Sequence, residues 1–100
     1  MENTKGSDQY QRVEFSVDGL PAEYQFKIWN MDSMPMCIVI TENSGVLPRL
    51  KVGHRLKMKY YSADSVYRID LKETAISEIT KDKRERFKGS YLVGLEILEN

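Results

Sequence analysis

The sequence predicts an all-β protein, a small barrel or sandwich of about five to seven short strands, and three observations point there. Apolar residues recur at every second position in four separate segments, the spacing of strands with one buried and one wet face. Glycine, proline and asparagine punctuate the chain between those segments. The chain has 100 residues and one cysteine, Cys37, so a single domain must bury its core without an internal disulfide or a multi-cysteine zinc site.

Taken in order, residues 1–9 (MENTKGSDQ) hold no large apolar side chain apart from Met1 and are expected to form a flexible tail ahead of a domain spanning 10–100. In RVEFSV, Val13, Phe15 and Val17 share one face, and DGLP ends the strand. YQFKIWNM repeats the alternation with Tyr24, Phe26 and Ile28. MCIVI is apolar on both faces, as in a strand within a sheet or on the inside of a barrel. ENSGVLPRLKVG is a connection rich in turn formers. HRLKMKYY sets Leu56, Met58 and Tyr60 against Arg55, Lys57 and Lys59, and SYLVGLEIL turns Tyr91, Val93, Leu95 and Ile97 inward, with Gly94 and Glu96 outward.

Residues 70–82, DLKETAISEITKD, admit two readings. Asp70 and Glu73 form a capping pair and Leu71, Ala75 and Ile79 fall at helical spacing. The β-branched residues Thr74, Ile76, Ile79 and Thr80, and the turn-like KDKRERFKGS that follows, weigh toward strand.

Lysine plus arginine balance aspartate plus glutamate at 15 each, so no cationic field draws in a nucleic-acid polymer. A basic stripe of Arg55, Lys57 and Lys59 with Tyr61 would suit single-stranded nucleic acid, but it offers one aromatic on a chain of zero net charge. No apolar run reaches the roughly 18 residues of a spanning helix, and the N-terminus lacks the apolar core of a signal peptide. A cytoplasmic protein without membrane insertion is expected. His54 has no second ligand near it in sequence and reads as a surface residue at a strand start. Cys37 reads as a small buried side chain, and Met31, Met34 and Met36 around Pro35 as packing residues. No nucleophile elbow, phosphate-cradling glycine loop or paired carboxylates stand out, so an enzyme is not expected.

The order of segments is informative. An arginine before the first strand, a strand running into NMDSMP, an apolar strand, LPRLKVGHRLKMKY and finally RFKGSYLVGLEIL together resemble the PilZ family of small β-barrels over residues 10–98. That resemblance implies a six- to seven-stranded antiparallel barrel. It further implies a bacterial signalling adaptor that binds cyclic di-GMP through an N-terminal Arg-x-x-x-Arg and a later Asp/Asn-x-Ser-x-x-Gly. Arginines fork onto phosphate and stack on guanine, and short polar side chains bond the base edge.

Carried onto this chain, Arg12 stands for the second arginine and Asp8 occupies the place of the first. Asn30 opens the second motif, Asp32 takes the serine position with Ser33 beside it, and Pro35 replaces the glycine. The implied ligand-binding set is Arg12, Asn30, Asp32 and Ser33, with cyclic di-GMP as ligand and no resident cofactor or metal. Each charge-assisted bond lost with the first arginine is worth about 1.5–3 kcal/mol, roughly one to two powers of ten in affinity. A degenerate member that has lost the nucleotide and works through a protein partner is the alternative. The sequence ends at Asn100 without the C-terminal helix often appended in the family. An apolar patch at that end, open to a homodimer or another protein, is therefore expected.

Overall fold

A computed structural model describes residues 10–31, 34–62, 69–82 and 89–98. The expected tail 1–9, Asp32 and Ser33, and residues 83–88 of the charged turn lie outside the described residues. The fold is all-β. Its strands are β1 (Tyr10–Ser16), β2 (Glu23–Lys27), β3 (Trp29–Met31), β4 (Met34–Thr41), β5 (Arg55–Ser62), β6 (Ile69–Lys81) and β7 (Ser90–Ile97), with a short 3-10 turn at Leu47–Arg49.

The strands form one antiparallel sheet in the order β2-β1-β5-β6-β7-β4-β3. β2 and β3 are successive pieces of one extended run divided at Ile28, so both edges of the sheet belong to the same stretch of chain. That run leaves β1 and joins β4, which brings the sheet round into a nearly closed seven-stranded barrel. The Ile28 amide still donates to the Gln11 carbonyl at 2.9 Å and its side chain is buried. Curling the sheet on itself leaves few unpaired edge groups, which is the physical advantage of a barrel over an open sheet.

The alternation read from the sequence sets the interior. Val13, Phe15 and Val17, then Ile28, then Met36, Ile38 and Ile40, then Met58 and Tyr60, and finally Ile76, Val93 and Leu95 form one buried cluster. Residues 70–82 are strand almost throughout, as β6. The helical spacing of Leu71, Ala75 and Ile79 is coincidental: Leu71 is exposed, while Ile79 packs against the core.

Three bulges change which side chains face inward. An extra residue at Gln11 breaks the register between β1 and β5, so Tyr10 turns into the core beside Tyr60, ring centroids 4.9 Å apart. Its hydroxyl donates to Asp70 Oδ2 at 2.7 Å. Ser77 is the extra residue of β6 against β7, which lets Ile79 share a face with Thr74 and Ile76. In β4 the extra residue falls at Pro35–Met36. Proline contributes no ladder N–H, and it is tolerated at such an irregularity. The shift puts Met34 on the outer face.

One end of the barrel is plugged from within the 42–54 connection by Val46 and Leu50, both buried in the core cluster. Gly53 at φ 92° turns the chain there toward β5, a conformation costly for residues with a Cβ. At the opposite end stand the start of β1, the far end of β3, the end of β5 and the start of β6. Among the described residues no helix is long and apolar enough to cross a membrane.

Candidate functional site

The end of the barrel opposite Val46 and Leu50 carries an ordered row of outward side chains. Lys27 pairs with Arg12, Arg12 with Tyr61, and Tyr61 with Ile69, across β2, β1, β5 and β6. Behind it runs a second row of Gln25, Glu14, Lys59 and Leu71.

Arg12 is exposed. Its guanidinium carbon lies 5.2 Å from the centroid of the Tyr61 ring, and Nη1 donates to Gln25 Oε1 at 3.2 Å. The Tyr61 hydroxyl in turn donates to Glu14 Oε1, which also accepts from Gln25 Nε2 at 3.4 Å. A proton shared with the Glu23 carboxyl in acid, together with the hydrogen bonds donated by Tyr61 and Gln25, holds the Glu14 carboxyl down at about 2, and the bond to Glu14 pushes the Tyr61 phenol up. Tyr61 therefore stays a neutral donor, and its ring is fixed in place under the guanidinium. In the same patch Lys59 Nζ lies 3.3 Å from Glu23 Oε1, and that contact raises the Lys59 pKa.

Lys27 behaves differently. Its Nζ sits 4.2 Å from the centroid of the Trp29 ring. Lys27 and Arg12 are direct cross-strand partners, and among the described residues neither forms an ion pair with a carboxylate. Like charges placed directly opposite on neighbouring strands repel. Each of these two instead leans on an aromatic face, a contact worth about 0.5–1 kcal/mol when exposed.

Of the residues read from the sequence, Arg12 and Asn30 lie at the same end of the barrel. Asn30 is exposed on β3, three residues beyond the partner of Arg12, or about 10 Å along an extended chain. Asp32 and Ser33 lie outside the described residues. Lys27 and Trp29 were not singled out in the sequence, although their i, i+2 spacing in FKIWN places them opposite Phe26 and Ile28. The missing information was the register that sets Lys27 beside Arg12.

His54 is half-buried immediately before β5. Cys37 is fully buried, and burial pushes its thiol up to about 11, which suits an unreactive packing group. Met34 and Met36 are buried on opposite faces of β4. Among the described residues no three His, Cys, Asp or Glu side chains gather as a metal site would require. The exposed large apolar side chains among them are Val52, Ile69 and Leu71, so the apolar exposure falls on β6 and the 51–54 turn and not on β7.

No protein-family model matches this chain, and no match is found among curated proteins or solved structures.

Proposed function

We propose that this protein is a cytoplasmic signalling adaptor of PilZ type that binds cyclic di-GMP at the rim of its barrel, through Arg12 and Asn30, with Asp32 and Ser33 completing the polar set. The observation that carries this reading is the exposed Arg12 guanidinium pinned over Tyr61 at the barrel end where β3 brings Asn30. A guanidinium already oriented in its plane loses little freedom when it forks onto a phosphate. A neighbouring aromatic ring accepts a stacked base.

Calorimetric titration with cyclic di-GMP tests the proposal. Saturable binding that Arg12→Ala abolishes supports it, and amide shift changes should centre on 12, 30 and 61. A flat titration removes it. The second reading, a module that works through a protein partner without nucleotide, is favoured by Ile69 and Leu71, which stand exposed side by side along the outer face of β6. A flat titration together with a specific partner whose capture is lost in Leu71→Glu would select it.

A further inference from the structure

We infer that Lys27 and Trp29 form the second half of the rim site: Lys27 shares a phosphate with Arg12, and the Trp29 indole takes a purine on the face its lysine covers in the free protein. This rests on the nucleotide reading above and extends it to residues that no sequence motif marks.

Directly opposed strand residues hold their Cα atoms about 4.5–5.5 Å apart, so the Arg12 and Lys27 side chains rise from nearly the same spot. Both are cationic, and no described carboxylate is ion-paired with either. Elsewhere in the same patch the opposite solution is used, with Lys59 paired to Glu23 at 3.3 Å. An anion settling between Arg12 and Lys27 turns their repulsion into two charge-assisted contacts. Each cation has its own ring, Tyr61 across on β5 under Arg12 and Trp29 two residues along the chain under Lys27. Drawing the lysine onto phosphate uncovers indole surface next to that phosphate. Cation and ring then present, in order, what a nucleotide carries: charge on the phosphate, and a flat face on the base. The arrangement has two such halves, matching a ligand with more than one base.

Trp29 is the sole tryptophan of the chain, so its emission reports on this half directly. The experiment titrates the full chain with cyclic di-GMP, guanosine 5′-monophosphate and inorganic pyrophosphate, following both heat and tryptophan emission, in wild type, Lys27→Gln and Lys27→Arg. Lys27 is exposed, and matching thermal melts check that the variants fold. With the inference correct, cyclic di-GMP changes Trp29 emission saturably, the Kd rises about tenfold or more in Lys27→Gln, as for one lost charge-assisted bond, and Lys27→Arg keeps most of the affinity. Dinucleotide binding by heat with unchanged emission, and a Kd in Lys27→Gln within about twofold of wild type, overturns the Lys27–Trp29 half and leaves the Arg12 reading standing. A Lys27-dependent emission change with the monophosphate or pyrophosphate, but not with the dinucleotide, keeps the half-site and overturns the dinucleotide. No heat and no emission change with any of the three overturns both.

Discussion

Two outer faces of this barrel, built from the same kind of strand, have opposite chemistry. Over β1, β2 and β5 the outside is polar: Arg12, Glu14, Gln25 and Lys59 are bonded to one another or to Glu23 and Tyr61. Over β3, β4 and β7 the outside is apolar and covered, with Met34, Cys37 and Leu92 buried and Met31 and Val39 packed against them, while half-buried Trp29 stands at the border, against this cluster on one side and under Lys27 on the other. A strand with one wet face alternates, whereas a strand buried on both faces reads as a continuous apolar run, and MCIVI is such a run; SYLVGLEIL alternates in sequence, yet Leu92 and Gly94 on its outer side are buried. The difference teaches where stability and recognition sit. The apolar face adds a small second core, while the polar face exchanges its partners at little cost and is suited to binding.

The contrast can be broken first at Leu92. Leu92→Ala removes a buried side chain from the outer cluster and is expected to destabilise by about 2–4 kcal/mol, read as a lower denaturant midpoint with unchanged slope. Gly94 comes next. A Cβ built there would lie 2.6 Å from Ser77 Oγ and 3.3 Å from Met34 Cγ, so Gly94→Ala should cost about 1–3 kcal/mol by overpacking. Ser77→Ala in the same chain should restore part of it, as a double-mutant cycle can show.

The thiol of Cys37 sharpens the comparison through pH. Its folded pKa, about 11, lies above the ordinary 9.0, so the folded state holds its proton more tightly than the unfolded state does. This contribution to stability is complete below about pH 9 and is lost as pH rises toward 11. A thiol reagent at pH 8 should label Cys37 only as fast as the protein opens, and rapid labelling of the native protein would contradict its burial.

The smallest effects are expected on the polar face. Lys59→Ala breaks an exposed ion pair with Glu23 and should change stability by no more than about 0.2–1 kcal/mol. Tyr61→Phe removes a hydroxyl donor from Glu14. The Glu14 carboxyl should then rise part of the way from about 2 toward the ordinary 4.5, because the larger influence of Glu23 remains, as carboxyl chemical shifts across an acid titration would show. In wild type the stabilising contribution of Glu14 is present above pH 4.5 and is lost as pH falls toward 2. A polar-face variant as damaging as Leu92→Ala would erase the distinction between the two faces.

Much of this was legible in the chain. Val13, Phe15 and Val17, and Met58 with Tyr60, lie inside because each pair of neighbours is two residues apart, and strand geometry sends such residues to one face whatever surrounds them. The strand character of 70–82 is marked in the sequence by Thr74, Ile76, Ile79 and Thr80, whose branched side chains suit a pleated surface. Tyr10, Met34 and Ile79 were harder to place. Each lies across a bulge, and one extra residue reverses the face of every side chain beyond it. Bulges form where non-local strands meet, so local alternation carries no mark of them.

The sequence by itself determined that the chain forms short amphipathic strands, which residues those strands bury over unbroken stretches, and that an arginine and a short polar residue flank the early strands. Only the tertiary structure decided that Lys27 faces Arg12, that Tyr61 lies under its guanidinium, and that the β3–β4–β7 exterior is sheltered while its counterpart is wet. Periodicity is a property of neighbouring residues. Register and cover are set by hydrogen-bonded ladders between segments dozens of residues apart, and those exist only once the sheet has curled round on itself.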